Sequence, residues 1–258
     1  MSTPLAKPCS DCCFRTFPHS GTAQGAFEPI AGVPTYVSAP PGDGPHAKVI
    51  LFFSDVFGAT YLAAQLAMDF WAAHGFLVLG IDYFLGDSVA RYGWPRDAPD
   101  KEKEVWVTAK RLSAAPLVPP WLAEVRVRYG ARVLNAGTGY CFGAPYVMDL
   151  LASDWVTAGA FAHPAFLDED HFRNAKKPLL LSCPEEDFTF SLEARRRAED
   201  ILLARPEEHR AAFFIQVFSG ARHSFATRPD PDRRTERWAK EESARSIVDW
   251  FNHHASET

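Results

Sequence analysis

The sequence has no excess of basic residues and no long hydrophobic run. It contains 27 Lys and Arg against 32 Asp and Glu in 258 residues, so its formal net charge at pH 7 is -5. Such a chain lacks the basic field that attracts nucleic acid, and we expect no nucleic-acid partner. No apolar run is long enough to span a membrane, and the first residues lack the apolar core of a signal peptide. We therefore expect no membrane association and a cytoplasmic location.

Patterns that bind cofactors are also missing. The sequence contains no glycine-rich loop that would cradle a phosphate and no dinucleotide fingerprint. Cys9, Cys12 and Cys13 form a cluster, but a structural zinc site needs about four ligands and His19 alone does not complete one. We predict no cofactor and no metal, with these thiols in a reduced segment that packs against the domain or trails from it. Cys183 is predicted to be a small core residue at a strand end.

Short apolar runs alternate with helical patterns along most of the chain. The length fits one α/β domain, which we assign to residues 26–258, with residues 1–25 as an N-terminal extension. We predict an α/β-hydrolase fold with a mostly parallel central sheet, helices on both faces and an N-terminal antiparallel hairpin. The predicted hairpin strands are Ala26 to Ile30 and Val33 to Ser38, and the predicted parallel strands are Lys48 to Phe53, Phe76 to Ile81, Arg132 to Ala136, Thr157 to Phe161, Pro178 to Ser182 and Ala212 to Phe218. The predicted helices are Tyr61 to His74, Pro119 to Tyr129, Pro145 to Ala152, Leu192 to Ala204 and Lys240 to His253.

The segment G-Y-C-F-G at residues 139–143 follows one predicted strand and precedes a helical pattern. Glycines two positions before and after Cys141 suit a sharp turn in which the central residue is strained and the helix packs closely on the strand. A thiol at a helix N-terminus lies near the positive end of the helix dipole, which favours the thiolate. Cys141 is therefore the predicted nucleophile. The alternative is a chance match around a small buried cysteine.

A nucleophile on such a scaffold needs an acid and then a histidine, each on a loop after a later strand. The turn P-E-E-D-F offers three acids, and Asp187 is predicted because the chain turns back toward the core beside it. Glu185 and Glu186 are expected to be solvated. His223 follows the last predicted strand and is the predicted base. His163 is its rival, and we interpret it as a hydrogen-bonded loop histidine near the site.

With these three residues in that order, the sequence resembles the dienelactone hydrolase family of the α/β-hydrolase fold from about residue 28 to 251. Members of that family use a Cys-His-Asp triad, which the resemblance assigns to Cys141, His223 and Asp187. The motifs that carry the resemblance are S-D-V-F-G at 54–58, I-D-Y-F at 81–84, G-Y-C-F-G at 139–143, P-E-E-D-F at 184–188 and H-S-F-A at 223–226. Cys12-Cys13 and residues 83–87 look most like the fungal branch.

The predicted reaction is covalent acyl transfer on a small lactone, enol-lactone or ester. The thiolate would attack the carbonyl, the backbone N–H groups of Val56 and Phe142 would hold the oxyanion, and water would release the acid. Two alternatives remain open. The same triad could carry out a cyclisation, an isomerisation or a C–C bond cleavage on a polyketide-like intermediate, or the scaffold could be a non-catalytic binding module.

Two positions depart from the bacterial family pattern. Bacterial members have a Glu that holds the resting thiol where this chain has Asp55, and an Arg shortly after the position of Tyr83, where this chain has none. Asp55 is predicted either to restrain the thiol or to cap the following helix. Arg91, Arg222 or Arg228 is the candidate to bind a substrate carboxylate.

The longest departure from the strand and helix rhythm is residues 84–120, which we expect to cover the substrate pocket. Tyr92 and Trp94 are assigned to that pocket, and Tyr83, His163 and Arg228 are further candidates for substrate binding or thiol tuning. A solvent-facing charged helix is the alternative for part of this stretch. We expect a small-molecule substrate, and either a monomer or a homodimer.

Overall fold

The structure is a computed structural model that describes residues 2–9, 11–14, 16–17, 19–42, 48–93, 100–130, 134–207 and 210–255. The strands are β1 Ala26–Ile30, β2 Val33–Ser38, β3 Lys48–Phe53, β4 Leu77–Ile81, β5 Leu134–Tyr140, β6 Ala158–Ala162, β7 Leu179–Glu186 and β8 Phe213–Arg222. The helices are α1 Leu62–Ala73, α2 Asp100–Ala114, α3 Val118–Tyr129, α4 Ala144–Leu151, α5 Glu169–Asn174, α6 Leu192–Leu203 and α7 Arg234–Ala255. Among these helices, none has both the length and the apolar composition that a membrane span requires.

In the described residues the strands form one sheet in the order β1-β2-β4-β3-β5-β6-β7-β8. The β1–β2 and β2–β4 pairs are antiparallel, and every later pair is parallel. The predicted mostly parallel sheet with an N-terminal hairpin is confirmed. Because β3, β5, β6, β7 and β8 run in the same direction, their carboxyl ends lie along one edge of the sheet, where ligands bind in such folds.

The central strand β3 is buried on both faces, which explains its uninterrupted apolar sequence. Its alternate side chains join two apolar clusters on opposite sides of the sheet. One cluster includes Trp121 of α3, and the other includes Trp71 of α1 and Phe251 of α7. The β3 residues are Val49, Leu51 and Phe53 in the first cluster, and Ile50 and Phe52 in the second. Helices therefore cover both faces, as predicted.

Several elements differ from the sequence-based prediction. β5 continues to Tyr140 instead of ending at Ala136, β7 to Glu186 instead of Ser182 and β8 to Arg222 instead of Phe218. α7 begins at Arg234 instead of Lys240, and the short helix α5 was not predicted. α2 lies within residues 84–120, which the sequence predicts to cover the pocket, with a solvent-facing charged helix as the alternative for part of the stretch. Trp106 of α2 is nevertheless buried and packs 5.3 Å from Phe84, ring centroid to ring centroid. Because many side chains of α2 are charged, the sequence does not reveal that one face of this helix packs against the core.

Candidate active site

Three parallel strands deliver the three predicted triad residues to one edge of the sheet. Cys141 follows the last residue of β5, Asp187 follows the last residue of β7, and His223 follows the last residue of β8. A backbone hydrogen bond from the His223 N–H to the Glu186 carbonyl, 3.1 Å, aligns the last two loops. The end of each strand thus determines where each side chain projects.

The turn at Cys141 has the strained backbone that a nucleophile elbow requires. Cys141 has a φ of 49°, in the left-handed region that non-glycine residues rarely occupy. A Cβ atom at position 139 would lie 2.7 Å from the Gly143 carbonyl oxygen, and one at position 143 would collide with the Phe53 carbonyl oxygen. Both neighbouring glycines are therefore needed for the close approach of the turn to β3 and of α4 to β5.

The structure brings Cys141, His223 and Asp187 into a continuous chain of contacts. His223 Nε2 lies 3.3 Å from Cys141 Sγ, and His223 Nδ1 lies 2.8 Å from Asp187 Oδ1. The side chains of His223 and Asp187 are each 1% exposed. This geometry allows Nε2 to exchange a proton with the thiol while Asp187 orients the other ring nitrogen.

Asp187 is held in place by the turn that follows it. Its Oδ1 accepts hydrogen bonds from the N–H groups of Thr189, 2.9 Å, and Phe190, 3.2 Å, and from the Thr189 hydroxyl, 2.7 Å. The Thr189 hydroxyl also lies 3.1 Å from His223 Nδ1. Sequence reasoning did not single out Thr189, because a hydroxyl two residues after an acid is common in turns.

The two competing acids lie elsewhere. Glu185 is exposed, and its Oε2 accepts hydrogen bonds from the Ser219 hydroxyl, 2.9 Å, and the Gly220 N–H, 2.6 Å. Glu186 is exposed as well. Of the three acids in this turn, Asp187 is the one whose carboxylate contacts His223.

Burial dominates the electrostatics of the Cys141 thiol. Cys141 has no exposed surface, and burial raises the pKa of its thiol to about 12. A contact with Cys13 and the proximity of His223 act in the opposite direction on this pKa but are smaller effects. With its pKa raised in this way, the thiol is mostly protonated at neutral pH.

Val56 and Phe142 lie at the ends of adjacent strands. β3 and β5 pair with Phe53 opposite Gly139, so the residues that follow these two strands meet at the same edge. Both Val56 and Phe142 are fully buried. Their backbone N–H groups belong to the loop after β3 and to the elbow, where α/β-hydrolases build an oxyanion hole.

Asp55 forms a buried ion pair with Arg228. Its Oδ2 accepts hydrogen bonds from the Arg228 guanidinium and from the Thr227 hydroxyl, 2.8 Å, and its Oδ1 accepts one from the Phe57 N–H, 2.9 Å. In the described part of the chain Cys141 is not among its hydrogen-bond partners. The predicted helix cap is wrong, since α1 is preceded by Tyr61, which makes no side-chain capping bond.

His163 lies beside His223 but does not replace it. The two rings meet edge to face with 4.9 Å between centroids, and His163 is fully buried. Burial, with a smaller effect from His223, lowers the pKa of His163 well below its usual value. Neither ring nitrogen has a hydrogen-bond partner among the described residues, in contrast to the predicted hydrogen-bonded loop histidine. His163 therefore presents a neutral ring to the base.

The remaining pocket candidates are placed differently from one another. Tyr83 is fully buried, and its hydroxyl donates a hydrogen bond to the Ser54 carbonyl at the end of β3. Tyr92 is 44% exposed, and its hydroxyl donates to Asp87 over 2.7 Å. Trp94 lies outside the described residues. Tyr83 thus supports the loop after β3, whereas Tyr92 belongs to the surface.

Arg111 of α2 is a cation beside the elbow that sequence reasoning missed. Its Nη1 lies 3.3 Å from the Phe142 carbonyl oxygen, and its guanidinium lies about 5 Å from the ring centroids of Phe142, Tyr146 and Phe166. Arg228, a predicted anion binder, is instead engaged by a carboxylate. The sequence of α2 contains several charged residues, and it does not show which of them lies near the elbow. Only the packing of α2 against the domain identifies Arg111.

The other two arginines proposed as anion binders do not contact the elbow. Arg222 forms ion pairs with Glu236, 2.7 Å, and Asp230, 3.3 Å. Arg91 is exposed at the end of a short 3₁₀ turn. Of the arginines named so far, Arg111 is the one that contacts the residue after the nucleophile.

The N-terminal segment, defined here as residues 2–14 where described, packs over the nucleophile. Cys13 Sγ lies 3.5 Å from Cys141 Sγ and 3.3 Å from His223 Nε2. Cys9 Sγ lies 3.6 Å from Cys141 Sγ. Cys9, Cys13, Cys141 and Cys183 form no disulfide with one another. The sulfurs of Cys9, Cys13 and Cys141 all lie within 4.8 Å of one another, a set that can hold a thiophilic metal ion.

Comparisons with known proteins identify the family to which the chain is similar. The model of the dienelactone hydrolase family matches residues 33–255. Dienlactone hydrolase 1 of Gibberella moniliformis is 36% identical over 252 residues, which cover 96% of this chain and 95% of that protein. Hydrolase pyvD of Aspergillus violaceofuscus is 35% identical over 247 residues, which cover 95% and 96% of the two chains.

Solved structures show the same fold at lower sequence identity. The crystal structure of dienelactone hydrolase from Anabaena variabilis superimposes with a TM-score of 0.57 at 16% identity. The match covers 91% of this chain and 99% of that chain. At this identity the likeness extends to the fold alone.

Proposed function

Since this chain belongs to the dienelactone hydrolase family and is a hydrolase, we propose that it cleaves a small lactone, enol-lactone or ester through an acyl-cysteine intermediate on Cys141. The observation that supports this most directly is the contact chain from Asp187 Oδ1 through His223 to Cys141 Sγ, with separations of 2.8 and 3.3 Å. These three side chains follow the carboxyl ends of β7, β8 and β5, where catalytic groups of this fold project.

Acylation begins with a neutral thiol. His223 Nε2 accepts the thiol proton as the sulfur attacks the substrate carbonyl, and Asp187 stabilises the imidazolium that forms. The carbonyl oxygen becomes an oxyanion, which the N–H groups of Val56 and Phe142 bind. The imidazolium then returns its proton to the leaving alcohol, or to the hydroxyl released within an opened lactone.

Deacylation uses the same groups in reverse. His223 Nε2 removes a proton from a water molecule that attacks the thioester, and the oxyanion forms again in the same hole. Collapse breaks the C–S bond, releases the carboxylic acid and returns the proton to the thiol. The thiol must stay reduced throughout, which supports a reducing cytoplasmic setting.

Arg111 supports a preference for substrates that carry a negative charge. Its guanidinium contacts the backbone of the residue after the nucleophile and is surrounded by three aromatic rings. A carboxylate on the acyl side of a substrate would meet this cation while its carbonyl lies at Cys141. Guanidinium groups bind carboxylates through two parallel hydrogen bonds.

The test is hydrolysis of an enol-lactone and an aryl ester in water labelled with heavy oxygen. We expect one heavy oxygen atom in the product acid and, by intact-protein mass spectrometry, an acyl adduct that maps to Cys141. Cys141→Ala should show neither turnover nor adduct, and Cys183→Ala, which removes another buried thiol, should show both. Turnover without incorporation of heavy oxygen would indicate a cyclisation or isomerisation instead, and an adduct on another residue would refute the role of Cys141.

A further inference from the structure

The three thiols at the active site have the separations of a metal-ligand set. Cys13 and Cys9 lie 3.5 and 3.6 Å from Cys141, sulfur to sulfur, and His223 Nε2 lies 3.3 Å from both Cys13 Sγ and Cys141 Sγ. In a tetrahedral zinc site, a Zn–S distance of about 2.3 Å gives sulfurs that are about 3.8 Å apart. The distances from Cys141 Sγ to Cys13 Sγ and Cys9 Sγ are only a few tenths of an ångström shorter.

The chemistry of the groups favours a metal over thiol–thiol contacts. An S–H group is a weak donor and sulfur a weak acceptor, so contacts between neutral thiols are weak. Three thiolates and an imidazole, by contrast, are the ligands that Zn²⁺ binds in closed structural sites. Binding replaces the thiol protons, which are released to solvent as the S–Zn bonds form, with no change of oxidation state.

The groups around the thiols suit a metal site as well. Asp187 contacts His223 Nδ1 at 2.8 Å, so the lone pair of Nε2 is directed toward the sulfurs. A carboxylate behind a histidine is the usual support for a zinc ligand. Arg228 donates a hydrogen bond from Nη2 to the Cys13 carbonyl, 3.0 Å, which holds the backbone that carries one of the thiols.

The N-terminal segment is positioned to bring its two thiols to the site. Leu5 and Ala6 donate backbone hydrogen bonds to the Leu167 carbonyl, both 2.8 Å, and Lys7 donates one to the Thr189 carbonyl, 2.7 Å. These bonds attach the segment to the loops after β6 and β7. They leave Cys9 and Cys13 directly over Cys141.

We propose that Cys9, Cys13 and Cys141, with His223 Nε2 as the fourth ligand, bind one Zn²⁺ ion that holds the enzyme in an inactive, closed form. The metal-bound Cys141 sulfur cannot attack a carbonyl, and the metal-bound His223 cannot accept a proton. The site is inhibitory, not catalytic, and the inhibition rests on the proposed function of Cys141. The ion links the N-terminal segment to the elbow, so its removal frees the nucleophile.

The first experiment measures binding without any substrate. The full-length protein is purified under reductant, stripped with a chelator and titrated with Zn²⁺ by calorimetry, with the metal content checked by elemental mass spectrometry. We expect one ion per chain. The double variant Cys9→Ser, Cys13→Ser should bind about 100-fold more weakly or worse, and Cys183→Ser should bind like the wild type. Asp187→Asn should weaken binding by about 10- to 100-fold, because it removes the support of a ligand.

A second measurement identifies the ligands directly and does not depend on the fold of the variants. One equivalent of Zn²⁺ should protect Cys9, Cys13 and Cys141 of the wild-type protein from iodoacetamide but leave the labelling of Cys183 unchanged. Absence of binding at micromolar Zn²⁺, equal binding by the double variant, or a disulfide between Cys141 and either N-terminal cysteine in protein isolated without reductant would overturn the site.

The activity arm separates this site from the proposed function. Zn²⁺ should inhibit hydrolysis by the wild type with the affinity seen in calorimetry, and it should inhibit the double variant about 100-fold less effectively. An active enzyme that binds no Zn²⁺ would refute the metal site and leave the proposed hydrolysis standing. Zn²⁺ binding by a protein without hydrolase activity would support the ligand set and refute the proposed hydrolysis. It would also refute the inhibitory role of the ion.

Discussion

At the scale of single residues, one imidazole nitrogen faces two thiols. His223 Nε2 lies 3.3 Å from both Cys141 and Cys13, yet only Cys141 occupies the strained turn between a strand and a helix. The strain matters because it lifts the sulfur out of the sheet edge and directs the next N–H toward the same space. Position in the backbone, and not proximity to His223, therefore distinguishes the proposed nucleophile Cys141 from Cys13.

Asp187→Asn should lower kcat by about 10⁴-fold while leaving the melting temperature close to that of the wild type. The amide cannot stabilise the imidazolium, and it favours the wrong ring tautomer. Glu185→Gln is the matched control, because Glu185 is exposed and bonds only to Ser219 and Gly220 among the described residues. Steady-state kinetics at several pH values would measure both. An equal loss in the Glu185 variant would show that the wrong carboxylate has been assigned.

Arg111→Leu should raise KM for esters that carry a carboxylate by about 10- to 100-fold, because a charge-assisted hydrogen bond contributes about 1.5–3 kcal/mol. KM for a neutral ester of the same size should stay within about twofold. Lys110→Met is the control, since the adjacent Lys110 is paired with Asp87 over 2.6 Å. If both substrates were affected equally, Arg111 would support the packing of α2 and would not bind an anion.

At the scale of elements, the N-terminal segment packs directly against the elbow. The segment hydrogen-bonds to the loops after β6 and β7 and removes Cys141 from solvent. The pKa of the Cys141 thiol is raised to about 12 mainly by burial. If Cys141 is the nucleophile, as proposed, the segment that covers it affects both its accessibility and its ionisation.

This coupling gives a pH dependence that alkylation can measure. Since the folded-state pKa of Cys141 lies above the usual thiol value, the thiolate fraction at pH 7 is small and rises about tenfold per pH unit into the alkaline range. In chelator-treated wild-type protein the iodoacetamide rate at Cys141 should follow that slope up to at least pH 10. Deletion of residues 2–16 should raise the rate at pH 7 about tenfold or more, because the thiol regains water.

Cys183 provides the internal control for that experiment. Its thiol is also buried, and burial raises its pKa to about 12, but it lies within strand β7 and is not one of the three clustered thiols. Its labelling should not change on deletion. A rate plateau at Cys141 near neutral pH would instead indicate a thiolate–imidazolium pair already present in the resting enzyme.

At the scale of the whole molecule, a buried ion pair joins a loop at the middle of the sheet to a loop at its edge. Asp55 follows β3 in the middle of the sheet, and Arg228 follows β8 at its edge. Their side chains are 2% and 1% exposed. Arg228 also donates hydrogen bonds to Ser224 Oγ, 2.8 Å, and to the Cys13 carbonyl, 3.0 Å. One guanidinium thus connects the loop that carries Val56, the loop that carries His223 and the N-terminal segment.

Asp55→Asn should reduce the free energy of unfolding by about 3–5 kcal/mol, because it leaves a buried guanidinium without its counter-charge. The double variant Asp55→Leu, Arg228→Met should recover much of that loss, since no charge then remains buried. Urea denaturation would measure both. Asp87→Asn, which removes a partly exposed partner of Lys110, should shift the midpoint much less. A similarly small effect at Asp55 would mean that the pair is solvated in the folded protein.

The sequence by itself determined the features that depend on neighbouring residues. The β1–β2 hairpin has the predicted boundaries, and β3 was predicted to the residue, because turn residues and uninterrupted apolar runs act locally. The elbow could be predicted for the same reason, since glycines at positions 139 and 143 allow a close approach that any side chain would block. The order of Cys141, Asp187 and His223 followed from the strands that precede them.

Only the tertiary structure decided which distant groups meet. The partner of Asp55 lies 173 residues away, so neither predicted role for Asp55 included Arg228. The sequence-based prediction of no metal site considered only residues 9–19. Cys141 is 132 residues from Cys9, and His223 is 210 residues from Cys13. The local sequence pattern indicates which face of an element is apolar. Which polar side chains meet depends instead on how whole elements pack against one another. That is why the meeting of Cys141, His223 and Asp187 was predictable from the strand ends and the cluster of thiols around them was not.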